Sequence, residues 1–208
     1  MAGFNFGSSS NVKALEEKIK QFEVTDIPLN ISSGIIREDS SAIISKHRVR
    51  GKTAAVKKFK GQLSKKSILK TANALRVLKH TNVASFLGYS CRPSAICFEY
   101  CEVEFCDSKH KQVIVHSLQE LINFFNDHEY FNLIERKGYC IQACQGISYL
   151  HSLKIIHKDI KPSNLLVSGK KEDIVVKITD FNEIAAFKDT CLTTTTTRTN
   201  LKGKNFNS

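Results

Sequence analysis

The sequence predicts an α+β fold of two lobes, a small β-sheet lobe with one helix followed by a mainly helical lobe. Short β-branched runs fill residues 31–59, two further strand-like runs lie within 85–101, and a helical pattern lies between them at 64–79. Two further helical patterns follow residue 116. Because 41% of the 208 residues are hydrophobic, the chain can bury a core. Strands followed by helices predict two lobes with a cleft between them.

The first sixty residues predict one helix and three strands. Residues 1–10 are small and polar, and we expect them to form a flexible leader. Residues 11–23 carry an apolar side chain at every third or fourth position, as an amphipathic helix does. The β-branched runs within residues 31–59 predict three antiparallel strands, with turns at 38–40 and 50–51.

A helix and two strands complete the predicted small lobe. Residues 64–79 have the apolar spacing of a helix, whose inner face is expected to carry Ile68, Leu75 and Leu78. Residues 85–91 and 95–101 predict two further strands. Arg92–Pro93 separates them, since proline cannot donate to a strand ladder.

The second half predicts a loop, two helices and a polar tail. Residues 104–116 are expected to form a loop or an insertion. Ser117, with Glu120 three residues later, matches the capping box of a helix start. Residues 188–208 are rich in Thr, Asn and Lys and predict a mobile tail. A longer helix is predicted over 133–150, and its inward-facing residues are expected to be Ile134, Cys140 or Ile141, Cys144, Ile147 and Leu150.

Positive charge is concentrated in the predicted small lobe. No acidic residue occurs between Asp39 and Glu99, whereas this stretch holds 13 of the 31 Lys and Arg residues of a chain with net charge +11. Such a block can attract nucleic acid, anionic lipid or phosphorylated ligands. A solvated basic face is the favoured interpretation, so nucleic acid is not expected as a partner. Polyanion binding through residues 46–70 stays open as an alternative.

Cysteine usage and hydropathy indicate a cytoplasmic protein. Seven Cys, none in a Cys-x-x-Cys pair and most within apolar patterns, predict buried free thiols rather than disulfides or a zinc site. No apolar run approaches the roughly 18 residues of a membrane span, so none is predicted. The first ten residues lack the basic segment and apolar stretch of a secretory signal.

Five short motifs lie in order within residues 30–199. In this order they resemble five elements of eukaryotic protein kinases: the strand of the nucleotide lysine, the turn and strand after helix C, the strand into the hinge, the catalytic loop and the Asp-Phe-Gly element. Lys161 and the Pro-Ser before Asn164 resemble the serine/threonine and tyrosine-kinase-like branches. The resemblance implies a protein-kinase-like two-lobe fold. The motifs read TAAVKKF at 53–59, HTNVASFLGY at 80–89, CFEYC at 97–101, HKDIKPSNLLV at 157–167 and ITDFN at 178–182.

The resemblance also implies ATP as nucleotide, Mg²⁺ as metal, and a protein substrate or partner, with a Ser or Thr hydroxyl as acceptor. As catalytic residues, Asp159 would orient the hydroxyl or accept its proton, and Lys161 would offset charge on the moving phosphoryl group. Asn164 and Asp180 would supply hard oxygen ligands to Mg²⁺. Taken alone, Asp159 and Asn164 could instead cap turns. The ATP-binding residues implied are Lys57 at the phosphates, Glu99 and Cys101 at the adenine edge, and Phe98 at the back of the adenine pocket.

Several departures from the family pattern leave room for an alternative, a pseudokinase that acts as a binding or scaffolding module. The glycine-rich loop is degenerate, because residues 37–42 read Arg-Glu-Asp-Ser-Ser-Ala and their side chains would block close approach to phosphates. Thr71 stands where the family has the helix C glutamate, and Asn182 replaces the glycine after Asp-Phe. Lys158 replaces an arginine and loses its bidentate fork.

The resemblance predicts the domain boundaries and an incomplete second lobe. Residues 1–29 would form the leader and N-terminal helix, 30–100 the small lobe, and 101–187 a partial large lobe with the catalytic loop. Residues 188–208 resemble a truncated activation segment with phosphorylatable Thr residues, and the later helices of the large lobe do not follow. Apolar faces left uncovered would lower solubility or call for a partner protein.

Overall fold

A five-stranded antiparallel sheet in the order β1-β2-β3-β5-β4 forms the first half of the structure, which is a computed structural model. Its turns lie at residues 39–41 and 50–51, within one residue of the predicted places, and Arg92–Pro93 separates the last two strands as predicted. The strands are β1 (Ile35–Glu38), β2 (Ala42–Val49), β3 (Lys52–Phe59), β4 (Phe86–Cys91) and β5 (Ser94–Glu99). The structure describes residues 9–25, 27, 33–107, 109–128, 133–181 and 185–186.

Helix α2 (Lys65–Leu75) packs against β4 and β5. It begins after Ser64, whose hydroxyl oxygen accepts the N–H of Ser67 at 3.1 Å, and it ends at Leu75 rather than at residue 79. The predicted inner face is confirmed, because Ile68, Leu75 and Leu78 are buried.

The N-terminal segment covers α2 and the outer edge of β4. Helix α1 (Ser9–Ile19) continues into a 3₁₀ turn at Lys20–Phe22, which confirms the predicted helix. Ile19 is fully buried, and Glu16 pairs with Lys65 of α2 at 2.6 Å. The N–H of Val24 then donates to the carbonyl oxygen of Tyr89 at 2.8 Å, so the segment is bonded to the sheet.

The prediction of a loop or insertion at residues 104–116 is wrong, because an antiparallel hairpin of β6 (Val103–Cys106) and β7 (Gln112–Val115) lies there. Phe105 turns inward, with ring centroids 4.8 Å from Phe124 and 5.6 Å from Phe125. Asp107 closes the turn, since its carboxylate accepts two backbone N–H groups at 2.8 and 2.9 Å. The aspartate side chain stabilises this turn by accepting backbone N–H groups, so the turn forms without the glycine or proline that marks many turns in a sequence.

Helix α3 (Leu118–His128) begins at the predicted capping box. The hydroxyl oxygen of Ser117 accepts the N–H of Glu120 at 3.2 Å. The Glu120 carboxylate accepts the N–H of His116 at 2.8 Å, one residue before the position that a capping box usually satisfies. The helix start is therefore held by both side chains.

The predicted inner face of helix α4 (Leu133–Ser152) is only partly confirmed, because Leu150 is buried and Ile147 packs against the core but the other predicted residues are exposed. Ile134 and Ile141 are 76% and 58% exposed, and Cys140 and Cys144 are exposed as well. The small residues Ala143 and Gly146 allow α4 to approach its neighbours closely, whereas Ile134 and Ile141 point away. The buried face is formed by Tyr139, Ala143, Gly146 and Leu150.

Two pairs of antiparallel strands follow α4 and flank the HKDIKPSNLLV and ITDFN motifs. Strands β9 (Leu165–Lys170) and β10 (Asp173–Ile178) pair along their whole length, and β8 (Ile155–Ile156) pairs with β11 (Ala185–Ala186). A 3₁₀ turn at Pro162–Asn164 precedes β9.

The two halves of the chain are bonded to each other next to β10. The carbonyl oxygen of Asn82 accepts the N–H of Ile178 at 3.0 Å, and the N–H of Ala84 donates to the carbonyl oxygen of Ile178 at 2.9 Å. The buried side chain of Asn82 donates to the carbonyl oxygen of Val176 at 2.9 Å and to Gln142 at 3.2 Å. The end of β10, from Val176 to Ile178, is therefore hydrogen-bonded to residues 82–84 of the first half.

The cysteines of the described residues are free thiols, as predicted, but their predicted burial is only partly correct. Cys97 and Cys101 are buried, whereas Cys106, Cys140 and Cys144 are exposed. None of the described helices has the length and apolar character needed to cross a membrane. Most of the predicted leader, all of the tail at 188–208, and Asn182 lie outside the described residues.

Candidate active site

A cavity of about 280 Å³ lies between the sheet and the second half of the chain. Its walls include apolar side chains from β1, β3 and β9, among them Ile36, Ala55 and Leu166. Glu99, Asp159 and Lys161 are not part of its lining. The cavity lining does include the remaining site residues suggested by the sequence, Lys57, Phe98, Cys101, Asn164 and Asp180.

Lys57 is paired across this cavity with Asp180. Strand β3 carries Lys57, which is only 7% exposed, and its Nζ atom lies 2.6 Å from Oδ1 of Asp180. At the α2 position where the family has glutamate, Thr71 lines the cavity. Because a buried ammonium group needs a nearby anion, Asp180 supplies the counter-charge that α2 lacks.

The catalytic loop is held together by bonds to one carboxylate oxygen. Oδ2 of Asp159 accepts from Nζ of Lys161 at 2.7 Å and from Nδ2 of Asn164 at 2.9 Å. The bond from Lys161, and after it the bond from Asn164, lowers the pKa of the Asp159 carboxyl below its usual value. Asp159 is therefore ionised at neutral pH, and its Oδ1 accepts no hydrogen bond from the part of the chain that the structure describes.

His157 and Phe181 support the loop from the interior. The N–H of Asp159 donates to Nδ1 of His157 at 3.3 Å, so Nε2 of this ring carries the proton and donates to the carbonyl oxygen of Thr179 at 2.7 Å. The N–H of Thr179 in turn donates to the carbonyl oxygen of Asn164 at 3.0 Å. The buried ring of Phe181 lies 5.3 Å from that of His157. These contacts fix the loop to the end of β10.

Lys158 and Asp180 both adopt left-handed backbone conformations, with φ of 70° and 67°. Residues other than glycine rarely adopt this conformation, which costs about 1–2 kcal/mol. The bonds around the two residues maintain the strained backbone, and at Asp180 it coincides with the ion pair to Lys57.

Asn164 and Asp180 have the donor atoms that Mg²⁺ prefers. Asn164 donates through Nδ2, which leaves Oδ1 as an acceptor, and Asp180 uses Oδ1 for Lys57, which leaves Oδ2. Both residues line the same cavity, so their chemistry fits the metal. No cluster of three or more His, Cys, Asp or Glu side chains suited to a metal occurs within the described ranges. A Mg²⁺ ion would therefore need phosphate oxygens and water as further ligands.

Phe98 and Cys101 also line the cavity. Phe98 is buried, with its ring 6.3 Å from that of Phe181. The side chain of Glu99 serves the fold, because it accepts the N–H of Ser85 at 2.7 Å and lies 3.1 Å from Nζ of Lys177. The adenine contacts expected from the backbone of Glu99 and Cys101 stay predictions.

His116 lines the cavity as well and was missed in the sequence. Its Nδ1 lies 3.1 Å from the carbonyl oxygen of Cys101, and since a carbonyl only accepts, Nδ1 donates. The ring also meets that of Tyr100 edge-on, with centroids 5.6 Å apart. Nothing in the sequence pointed to this residue, because its segment was interpreted as a loop.

The end of β1 and the turn that follows it form one wall of the cavity. Arg37 and Asp39 line the cavity, and the turn contains no glycine, as the sequence indicated. Glu38 points elsewhere, because its carboxylate pairs with Lys60 at 2.8 Å and its side chain is 48% exposed. Of the two acidic residues in this turn, only Asp39 borders the cavity.

Acidic residues from elsewhere in the chain neutralise part of the basic block at 46–70. Lys46 pairs with Glu102 and also lies 4.1 Å from the ring centroid of Tyr100. These contacts reduce the charge that the block offers to a polyanion. The ion pairs of the block include Lys46–Glu102, Lys57–Asp180, Lys60–Glu38 and Lys65–Glu16.

Comparison with known proteins agrees with this geometry. A family model described as protein kinase domain matches residues 38–200. Human mitogen-activated protein kinase kinase kinase 7 is 26% identical over 185 residues, covering 86% of this chain and 27% of that protein. Serine/threonine-protein kinase NLK2 of Xenopus laevis is 37% identical over 137 residues, covering 63% and 28%. Cyclin-dependent kinase 9-A of the same species is 31% identical over 157 residues, covering 69% and 38%. The chain thus spans well under half the length of these curated relatives.

Proposed function

This chain belongs to the protein kinase family, and on that premise we propose that its cleft binds ATP with Mg²⁺ and transfers the γ-phosphoryl group to a Ser or Thr hydroxyl of a protein. The observation that carries the proposal is that two bonded groups adjoin one cavity, which is lined by Asn164 of the first group and by Lys57 and Asp180 of the second. The first is the Asp159–Lys161–Asn164 cluster, and the second is the Lys57–Asp180 pair. Serine/threonine kinases among the similar proteins support the choice of acceptor.

Asp159 and Lys161 act on the acceptor side. Oδ1 of Asp159 accepts the proton of the attacking hydroxyl, because Oδ2 is already engaged by Lys161 and Asn164. The lowered pKa of Asp159 keeps the carboxylate ionised, and its bonds keep it oriented. Lys161 stands beside the hydroxyl's path and offsets negative charge that develops on the transferred group.

Lys57, Asn164 and Asp180 act on the nucleotide side. Lys57 moves part of its interaction from Asp180 to the phosphates when the nucleotide binds, and it binds them as a point charge. The oxygens of Asn164 and Asp180 would hold Mg²⁺, which would supply positive charge to offset the negative charge of the phosphates. Phe98 closes the apolar end of the cavity against water.

The test measures phosphate transfer from Mg²⁺-ATP to the chain itself and to a generic Ser/Thr protein substrate. Transfer should fall by about 10²–10⁴-fold in Asp159→Asn, the range for loss of a positioned acid–base group. It should also be abolished in Lys57→Met. Asp173→Asn is the matched control, because this carboxylate is exposed and starts β10, away from the cavity. Transfer that survives both site variants would refute the assignment.

A second candidate, a pseudokinase that binds partners without transfer, is favoured by one observation. Helix α2 offers no carboxylate to Lys57, so Asp180 holds this lysine in addition to its proposed metal role. Thermal melts with ATP, each with and without Mg²⁺, separate the candidates. Ligand at a hundredfold over its dissociation constant adds about 2.7 kcal/mol to the unfolding free energy. A melt raised by ATP with no transfer under any condition identifies the pseudokinase.

A further inference from the structure

The turn between β1 and β2 binds its own carboxylate. Oδ1 of Asp39 accepts the N–H of Ser41 at 2.7 Å, the hydroxyl of Ser41 at 2.7 Å and the N–H of Ala42 at 2.9 Å. The N–H of Asp39 donates to the carbonyl oxygen of Ala42 at 3.0 Å, which closes the turn. The backbone N–H groups of Asp39, Ser41 and Ala42, which a turn in this place could offer to an anionic ligand, are therefore already satisfied from within.

This carboxylate borders the polar end of the cavity. Asp39 lines the cavity together with Lys57, Asn164 and Asp180. Its pKa is lowered to about 2, first by the hydroxyl and N–H bonds of Ser41 and then by that of Ala42, with a smaller contribution from the charge of Lys57. A fixed negative charge thus stands at neutral pH on the side of the cavity where phosphates are expected.

We propose that Asp39 is a specificity-determining residue, which makes the cleft prefer adenine ligands with few or no phosphates over the triphosphate. The proposal rests on the proposed function, since it assumes that the adenine end is occupied. Asp39 acts in two ways: its charge repels each phosphate, and its oxygen occupies the N–H groups of Ser41 and Ala42. The phosphates of a ligand therefore add nothing to the affinity that its adenine group provides.

The expected effect follows from the charges. We take the Asp39 carboxylate and a phosphate charge to be about 8 Å apart, with an effective dielectric constant of about 40. Removal of the Asp39 charge then raises affinity about fivefold for each such phosphate charge. Mg²⁺ neutralises two phosphate charges, so the effect of Asp39 should be larger in EDTA than with Mg²⁺. Adenosine carries no phosphate, and its affinity should be independent of the charge at residue 39.

The experiment measures dissociation constants of adenosine, ADP and ATP for the full chain by calorimetry, in EDTA and in Mg²⁺. For the unsubstituted chain we expect affinities that stay level or fall from adenosine to ATP in EDTA. Asp39→Asn keeps an oxygen acceptor for the turn and removes the charge. If one or two phosphate charges of ATP lie that close to residue 39, this substitution should tighten ATP about fivefold to 25-fold, with adenosine changed less than twofold. Asp39→Ala also frees the two N–H groups and should tighten ATP further.

Glu38→Gln is the matched control, because this neighbouring carboxylate is exposed and paired with Lys60. An equal gain in ATP affinity from Glu38→Gln would overturn the proposal, since the cause would then be the general charge of the turn. It would also be overturned if the unsubstituted chain already binds ATP much more tightly than adenosine in EDTA. Binding of ATP that Asp39→Asn leaves unchanged refutes this inference but leaves the proposed function intact. If neither adenosine nor ATP binds to any of the variants, the proposed function itself fails and this inference with it.

Discussion

Gly146 lies where α4 meets the loop before β4, and a single methyl group there should loosen the part of the fold that carries Asp180. A Cβ atom at this position would lie 2.5 Å from the carbonyl oxygen of Asn82 and 2.8 Å from Cδ1 of Ile178. The first of these neighbours is backbone and is itself held by the N–H of Ile178. Gly146→Ala must therefore push α4 away from the segment that joins the two halves.

The magnitude combines two opposing effects. Overpacking of a well-filled site costs about 1–3 kcal/mol, and the upper end applies here because a backbone oxygen cannot rotate away. Alanine in place of glycine inside a helix returns about 1 kcal/mol. We expect a net loss of about 2 kcal/mol in the free energy of unfolding. For a chain of this size the loss corresponds to a melting temperature about 4–8 °C lower.

The assay is a thermal melt followed by circular dichroism, with Gly138→Ala as the matched control. Gly138 lies in the same helix, but a Cβ atom there would meet nothing within 4 Å. This substitution should stabilise the chain by about 0.5–1 kcal/mol, since only helix propensity changes. If Gly146→Ala is as stabilising as Gly138→Ala, the close approach of α4 to Asn82 is wrong.

The remaining predictions concern stability and thiol reactivity. Ile19→Ala should cost about 2–5 kcal/mol in denaturant unfolding, because the fully buried side chain joins α1 to α2; a loss below 1 kcal/mol would mean that α1 does not pack there. Asp39 has a lowered folded-state pKa of about 2, so its stabilising bonds are present above about pH 4 and are lost as the pH falls towards 2. The melting temperature of Asp39→Asn should therefore change less between about pH 4 and pH 2 than that of the unsubstituted chain. Alkylation at pH 8 should label Cys140 rapidly, whereas burial raises the pKa of Cys97 to about 12 and should protect it until unfolding.

The small lobe was predictable because its local signals agree with its tertiary contacts. The strands are bounded by turns at 39–41 and 50–51 and by Arg92–Pro93. Helix α2 has a Ser64 cap and buries the residues that its periodicity marks. Where propensity, pattern and capping point to the same structure, a sequence is informative without knowledge of its partners.

Two parts of the second half were not predictable, for different reasons. The β6–β7 hairpin is closed by the side chain of Asp107, in a stretch that is otherwise charged and without glycine or proline. The inner face of α4 includes the small residues Ala143 and Gly146 beside Leu150, and hydrophobic periodicity gives more weight to Ile134 and Ile141. Close approach at the small residues helps to decide which face of this helix is buried, and side-chain hydrophobicity alone does not show it.

At the site, the chemical groups were predictable but their partners were not. The motif spacing indicated Lys57 and Asp180, while their 2.6 Å contact joins residues 123 positions apart. The sequence showed that α2 has no carboxylate, but it did not show that Asp180 pairs with Lys57 instead. Asp39 followed by Ser41 is a recognisable pattern in which aspartate bonds its own backbone two residues later, so the closed turn could have been found.

The charge pattern of the small lobe also sets an order of events during synthesis. The nascent chain exposes 13 cationic side chains after Asp39 before the next anionic residue, Glu99, leaves the ribosome. Glu16 and Glu38 are made earlier and can pair with Lys65 and Lys60 at once. Lys57 can meet Asp180 only after 123 further residues, and contacts so distant in sequence form late in folding. The newly made sheet therefore carries a temporary excess of positive charge. Lys57 can pair with Asp180 only after the end of β10 has been synthesised.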